Sequence, residues 1–536
     1  MGNLFSLIKL AITILRELGE EYRTVRERIK SSPGLPVNQP LPSFWMVPPV
    51  RLPTSTELPS FADVIVIGSG ITGASCTRTL LRKGPSGLRV LVLEARDVCS
   101  GATGRNGGHI NPPLFHDYAQ LKSEFGIDSA KRIIRFRLAH LSALREAIED
   151  IGALDYSQIR RVQKLDVHFD RDTFKEQKKA FEEWRVDMPE EAVGFYVVEG
   201  SEVAKEFQLS EQVVGVIACP GGAAHPYRIV TSIFANHLER YPNRFNLFTQ
   251  TPCTGIIPPS TVTPYYTVQT PRGTITTRHV IHTTNGWVSH LLPGLRGKVF
   301  PLRGLMTAQR PGIGLPTQAG TRAHIFHYVP PGYDYLTQLP NQEGEGGGEL
   351  LFGGGAVQGG RITLSEVGMA DDSQYHLGIA SHVQGALPEY FGRANWGAES
   401  APAVDGAPSL EVGEKGPWHT GRVKALWTGI LGVSADMQPW VGRVPSAISG
   451  RVVKLPLLAG VCEKGAERQK AAPGEWVSAG YSGEGMVHAW LCAHALALMV
   501  LGLEEEEGVC TWFPDEYRLT EKRWKNATLE RLMDRL

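Results

Sequence analysis

The sequence predicts an α/β protein in which a parallel, doubly wound part is interleaved along the chain with an antiparallel-sheet part, preceded by an amphipathic helical arm. Three observations carry this reading. Val64, Ile65, Val66 and Ile67 form a β-branched run that reads as a buried parallel strand, and it breaks at a glycine turn before a helical Ala/Thr/Leu pattern. A similar strand-to-helix glycine turn recurs near residue 483, far along the chain. Between the two, short alternating segments separated by glycine and proline read as strands.

The elements follow in order. Leu4, Ile8, Ala11, Leu15 and Leu18 recur at helical spacing, while Lys9 and Arg16 interrupt the apolar run and no small-residue cleavage site follows. An amphipathic helix is expected there rather than a secretory signal. The start Met-Gly-Asn-Leu-Phe-Ser fits the Gly2/Ser6 pattern of N-myristoylation in a eukaryotic host, which makes peripheral membrane contact through this helix one expectation. Packing on the protein's own body is the other. Residues 31–60 hold eight prolines and the patch Phe44-Trp45-Met46, so an extended strap lying against the body is predicted.

The turn Gly68-Ser69-Gly70-Ile71-Thr72-Gly73 has the GxGxxG spacing in its proper strand-turn-helix context. Gly68 permits the tight turn, Gly70 lets a pyrophosphate approach the backbone, and Gly73 lets the helix pack closely. The helix N-terminus offers free N–H groups to phosphate. A second strand ends at Glu94, followed by Ala95 and Arg96, and its carboxylate suits the hydroxyls of an adenosine ribose. This much predicts a bound dinucleotide and leaves FAD and NAD open.

Residues 118–150 show long helical patterns, 161–169 alternate like a strand, 175–184 read as a charged helix, and 225–238 as another helix. Residues 245–257, 265–269 and 279–283 look like strands. Antiparallel strands are expected between 300 and 355, with a hairpin joining 333–339 to 349–353 through the loop 341–348. A strand at 476–481 and an almost continuously apolar helix at 485–501 complete the series.

Composition bounds the function. Lys plus Arg equals Asp plus Glu, 55 each, so no basic excess points to nucleic acid. The seven cysteines are scattered without CxxC spacing, which indicates neither a disulfide framework nor a zinc site and favours a reducing, cytoplasmic compartment. Asp534-Arg535-Leu536 matches a peroxisomal tripeptide poorly, because Asp534 is not small. His324 and His327 have the spacing of one helical face, but the region has strand character and no carboxylate cluster nearby in sequence, so no metal site is expected. Ser482 sits in a near match to a nucleophile elbow whose last glycine is missing.

Three further motifs accompany the first turn. Ser100-Gly101-Ala102-Thr103-Gly104-Arg105-Asn106-Gly107-Gly108-His109 is rich in small residues, which suggests a backbone laid against a planar or phosphorylated group. The second is Trp427 to Gly442, and the third is Gly480-Tyr481-Ser482-Gly483-Glu484-Gly485-Met486, expected to aim a second helix N-terminus at the ligand. Together the four ordered motifs, running from about residue 62 to 503, resemble the D-amino-acid oxidase (DAO) family of FAD-dependent oxidoreductases. The SGATGRNGGH form is most similar to the branch that includes γ-glutamylputrescine oxidase.

The resemblance implies a Rossmann-type FAD-binding domain (61–160, 221–299 and 421–513) interleaved with a substrate domain (161–220 and 300–420), with residues 1–60 as arm and strap and 514–536 as a helical tail. It implies noncovalent FAD held at residues 68–73, at Glu94, Ala95 and Arg96, at Ser100 and Thr103 to Gly108, through the backbone of Cys253, and at Gly483, Glu484, Gly485 and Met486. His109 is the candidate pocket residue for catalysis. Family members mostly oxidise a CH–NH bond to an imine, with oxygen or another acceptor taking the electrons. Relatives that act on amino acids carry a carboxylate-binding arginine where this chain has Leu431, and those with covalent flavin carry a histidine where it reads Thr103-Gly104-Arg105. Arg303 is a possible substitute cation, although a structural ion pair is the commoner fate of such an arginine. The expected substrate is therefore a primary or secondary amine. Oxidation of a CH–OH or CH–CH bond in a specialised metabolite, and a membrane-associated flavoprotein acting mainly through a partner, are the alternatives.

Overall fold

The computed structural model describes residues 2–261, 263–315, 320–329, 332–340, 348–359, 364–399, 418–453 and 471–533; side chains of residues 2–15, 204, 329, 531 and 533 are not among them. The loop expected at 341–348 lies outside these residues except for Gly348, and the tripeptide at 534–536 lies outside them entirely.

Two sheets organise the molecule. The first has eight strands, with Trp440–Arg443, Gly474–Ala479, Gly273–His282, Phe61–Ile67, Val90–Leu93 and Phe245–Phe248 side by side. Phe61–Ile67 lies parallel between Gly273–His282 and Val90–Leu93, as a βαβ unit requires. Its alternate side chains enter different cores: Val64 and Val66 pack under the helix layer, Ile65 and Ile67 on the opposite face. Burial on both faces explains why this strand is a continuous apolar run rather than an alternating one.

Helix Ile71–Lys83 follows the glycine turn and packs against Ala489–Leu501. That second helix is apolar nearly all round because it lies between the first helix and the sheet, with eleven of its residues buried. It starts at Ala489, and a single 3-10 turn, Gly485–Val487, precedes it. The helix expected from residue 485 therefore begins four residues later. The pattern at 118–150 is likewise divided: Tyr118–Phe125 and Ile127–Glu149 meet at Gly126, whose φ of 84° an L side chain adopts only with strain. The expected strand at 245–257 is two short strands, Phe245–Phe248 and Gly255–Ile257.

The second sheet has nine strands. Val423–Ser434, Val299–Gln309, Leu350–Gly353, Gly332–Gln338, Arg322–Val329, Arg160–His168, Gly215–Ala223 and His109–Ile110 lie side by side, with Tyr196–Glu199 beside Gly215–Ala223. The hairpin between residues 332–338 and 350–353 is antiparallel, as expected. The pairing of Arg322–Val329 with Arg160–His168 is parallel, so the sheet is mixed. It draws strands from 161–220, from 300–420 and, through Val423–Ser434, from the following segment.

The arm is helical from Gly2 to Lys30. Val25 and Ile29 are buried with Phe300, Leu529 and Leu532, so this end of the arm and the chain's last helix close over one strand of the second sheet. The strap runs back across the body and buries Trp45, whose indole nitrogen donates to the Asn106 carbonyl. Among the described residues no helix is long and apolar enough to cross a membrane. Six cysteines are described, all unpaired.

Candidate functional site

The glycine turn sits at the C-terminal end of the central strand, where open α/β sheets bind ligands. Gly68 has φ 112°, and a Cβ there would stand 2.9 Å from the Thr283 carbonyl oxygen. Gly73 lies directly under the turn, with the place of a Cβ only 2.2 Å from the Gly68 carbonyl oxygen. The first helical turn is thereby pressed onto the strand end. Ile71 N–H donates to Thr103 Oγ1 at 3.1 Å, which ties the SGATGRNGGH segment to the turn.

Glu94 is fixed by the turn itself. Its Oε2 accepts from Ser69 N–H at 3.0 Å and from Ser69 Oγ at 2.6 Å, and its Oε1 accepts from Arg96 N–H at 3.0 Å. Ser69 Oγ in turn accepts from Cys99 N–H at 2.9 Å. The side chain of the turn's second residue thus links both strands.

An elongated cavity opens from this turn. Of the residues expected at a cofactor, Gly68, Ser69, Gly70, Ile71, Thr72, Glu94, Ala95, Arg96, Thr103, Asn106, Cys253, Gly483, Gly485 and Met486 line it. The two glycine turns therefore meet across one elongated space. Gly73, Ser100, Gly104, Arg105, Gly107, Gly108, His109 and Glu484 are not on its wall, and each has a physical reason. Gly73 is used for packing. The Cβ positions of Gly104, Gly107 and Gly108 are filled by the Cys99 carbonyl, the Tyr335 ring and the Ala224 carbonyl, so the bareness of this segment serves protein packing more than ligand approach. Arg105 turns inward to the carbonyls of Ser100, Leu41 and Thr428 at 2.8, 2.8 and 2.9 Å, and Ser100 presents it that carbonyl.

Part of the wall carries no signal in the sequence. Gly34, Leu35 and Pro36 of the strap line the cavity, as do Thr284 and Trp287. Thr284 Oγ1 and Trp287 Nε1, two polar atoms on residues of this wall, are buried without a hydrogen-bond partner. These orphaned groups and the glycine-lined turn fit the polar ends of a dinucleotide cofactor. Tyr481 closes the inner end, its hydroxyl shared with Thr72 Oγ1 at 3.1 Å and Ser478 Oγ at 2.8 Å.

Leu431 also lines the cavity. Among the described residues Arg96 is the one lysine or arginine on this wall, and its guanidinium is bound by buried Asp372 at 2.9 and 3.1 Å. Arg303 is held by Glu366, with Nη2 to Oε1 at 3.1 Å, and by the Asp371 carbonyl. Neither cation is free to meet a substrate carboxylate.

Beyond the cavity wall, His109, Tyr333 and Tyr335 of the second sheet stand near Glu484. His109 stands edge-on to Tyr335 with centroids 5.5 Å apart, and burial, with Lys164 and Arg160 nearby, lowers its imidazole to about 3. It is neutral at neutral pH. Tyr333 is 49 % exposed, yet surrounding protein raises its hydroxyl to about 12, the combination expected of a side chain facing a cleft rather than open water. Glu484 projects into this region. Burial pushes its carboxyl up to about 7, against the pull of Arg137 and Lys164.

A raised carboxyl pKa costs stability once the group ionises. The folded protein holds the Glu484 proton up to about pH 7 and the unfolded chain releases it near its ordinary value of 4.5. Stability from this group is therefore present at low pH and lost as pH rises from about 4.5 to about 7. Glu484→Gln is expected to match the wild type near pH 4.5 and to exceed it in denaturant midpoint at pH 8; equal midpoints at pH 8 would remove the assignment.

Comparison with known proteins agrees with this geometry. The family model for FAD-dependent oxidoreductases of the DAO type matches residues 63–499. Gamma-glutamylputrescine oxidoreductase of Escherichia coli K12 is 33 % identical over 87 residues, 16 % of this chain and 20 % of that protein. One component of the anaerobic glycerol-3-phosphate dehydrogenase of Haemophilus influenzae is 27 % identical over 196 residues, 35 % of this chain and 29 % of that protein. The chain thus matches less than a third of the length of either curated relative. The crystal structure of L-proline dehydrogenase from P. horikoshii superposes with a TM-score of 0.58 at 18 % identity, over 88 % of this chain and all of that one, which shows a shared fold.

Proposed function

The chain belongs to the DAO family of FAD-dependent oxidoreductases, and from that premise we propose that it oxidises the CH–NH bond of a primary or secondary amine, using FAD held noncovalently in the cavity between the two glycine turns. Bound FAD supplies the acceptor for the hydride, and the resulting imine is open to hydrolysis by water. What the chain contributes is position and polarity. The 68–73 turn and the helix behind it offer N–H groups to the pyrophosphate. Glu94, already oriented by Ser69, meets the ribose. Gly483, Gly485 and Met486 meet the far end of the cavity, where Thr103 and Asn106 also lie and no histidine stands where relatives attach flavin covalently. The first sheet with its helices forms the cofactor domain, and the second sheet roofs the substrate.

The observation that carries the amine reading is Leu431 on the cavity wall, with both nearby arginines already bound by carboxylates. A carboxylate brought there would lose its water without gaining a partner. An amine enters as the neutral base and needs only orientation and a dry wall. The protein is therefore expected to favour an amine over the α-amino acid that adds a carboxylate to it by at least ~10-fold in kcat/KM, the equivalent of ~1.4 kcal/mol. Steady-state turnover with matched pairs measures this, and preference for the amino acid would overturn it. The resemblance to the glycerol-3-phosphate dehydrogenase component supports the second reading, oxidation of a CH–OH bond, which the same assay with alcohols separates.

A further inference from the structure

The inner face of the second sheet carries a polar cluster built from three distant segments. Along Arg160–His168, Leu165 and Val167 enter an apolar core with Val216, Phe326 and Leu387, so Lys164, Asp166 and His168 face the opposite way. Parallel pairing sets His327 beside His168. The spacing of His324 and His327 that would share a helical face places them on opposite faces of a strand, and His324 packs on Phe326 instead. His116 arrives from the segment before helix Tyr118–Phe125. The carboxylate missing from the local sequence is thus supplied by another strand.

The geometry is convergent. His116 Nε2 and His327 Nε2 lie 3.6 and 3.7 Å from Asp166 Oδ1. One donor atom from each of the three residues falls within 4.8 Å of the others. Asp166 is fully buried, and its Oδ1 and the Nε2 of His327 make no hydrogen bond of good geometry. Lys164 Nζ stands 3.0 Å from Oδ2, so it offsets the charge on one side of the carboxylate and leaves Oδ1 to the histidines. Aromatic neighbours hold both imidazoles: Phe115 stacks on His116 at 4.1 Å and His168 on His327 at 4.6 Å. Buried polar atoms left unpaired cost about 1–3 kcal/mol each, a cost that a bound ion or water would relieve.

We propose that His116, Asp166 and His327 form a site for a divalent transition-metal ion of the zinc class, bound by two imidazole nitrogens and one carboxylate oxygen. Two neutral nitrogens and an oxygen are borderline donors that suit zinc and not calcium or magnesium. Donors bound at about 2.0–2.2 Å around a tetrahedral ion stand roughly 3.4 Å apart, a few tenths of an ångström from the two nitrogen–oxygen separations here. Lys164 on the second oxygen is the outer partner that orients a ligating carboxylate. Asp166 has no solvent contact, whereas each histidine keeps about a fifth of its side chain exposed, 19 % in both. His327 lies 6.4 Å from Tyr333. The exposed edges of the two histidines leave the remaining coordination positions to water or to an oxygen or nitrogen donor of a small molecule.

The site is independent of the substrate assignment, and so is its test. Full-length, flavin-loaded protein is stripped with a chelator, dialysed against Zn2+ and assayed for bound metal by elemental analysis. The expected result is one tightly bound Zn2+ per chain, lost or weakened at least ~100-fold in His327→Ala and in His116→Gln, since removing a ligand costs more than the 10–100-fold of removing its outer partner. His419→Ala, at an exposed position, retains it. Retained flavin absorbance shows that each variant is folded. A wild type that keeps no Zn2+, or folded ligand variants that bind as tightly as the wild type, would overturn the proposal.

Discussion

Replacing Gly73 by alanine is expected to leave the purified protein without bound FAD. The added methyl would sit 2.2 Å from the Gly68 carbonyl oxygen, a backbone atom that cannot move without carrying the whole turn. Either the helix Ile71–Lys83 retreats from the strand or Gly68 rotates, and both displace the N–H groups aimed at the pyrophosphate. Overpacking of this kind costs about 1–3 kcal/mol, and at the upper end ~100-fold in affinity where the strained atoms are those that bind. Gly87→Ala is the matched control, since a Cβ there meets nothing within 4 Å. Flavin absorbance per chain after gel filtration reads the result. Equal flavin content in the two variants would show that the turn does not hold the cofactor.

Asp372→Ala is expected to be the most destabilising single substitution near the cavity. Asp372 is fully buried and receives Arg96 through three contacts of 2.9 to 3.1 Å, while Arg105 Nε stands 3.5 Å away. Burial already draws the Arg105 guanidinium down to about 10, with Asp372 opposing that shift. Without the carboxylate two guanidiniums remain in the interior with no counter-charge, and breaking a buried pair in this way costs about 3–5 kcal/mol. Arg96 also lies over the Trp287 ring at 5.7 Å and lines the cavity, so flavin should be lost together with stability. The exposed pair Arg393–Glu389 provides the contrast, with an expected change of at most ~0.5 kcal/mol. Denaturant unfolding of D372A and E389A measures both. A loss below about 1 kcal/mol in D372A would contradict the account.

What was legible in the sequence was what local chemistry dictates. Gly68 and Gly73 are readable because a tight turn and a close helix approach need glycine at fixed spacing, and Glu94 because it ends the next strand of the same βαβ unit. Leu431 was readable only through the resemblance, which supplies the arginine it replaces. The strap residues Gly34, Leu35 and Pro36 were not readable as cavity wall, since a proline-rich segment has no period that says which side faces inward. The glycines at 104, 107 and 108 are ambiguous for a related reason: glycine marks close approach but not whether protein or ligand approaches. Gly126 divides a helical pattern that is continuous by periodicity. Asp166 and His327 come together only through the parallel pairing of strands more than 150 residues apart in sequence, and His116 reaches them from a separate segment, a juxtaposition no local pattern records.

The central claim, that this cavity holds FAD which an amine reduces, is tested most directly by mixing the purified protein with a panel of amines, α-amino acids and alcohols in the absence of oxygen and following the visible flavin band. At least one primary or secondary amine is expected to bleach the band, the matching α-amino acid to do so more slowly, and acid precipitation to release the flavin into solution. A band that alcohols bleach and no amine does would contradict the amine assignment, and a protein that carries no flavin band would contradict the role given to the two glycine turns.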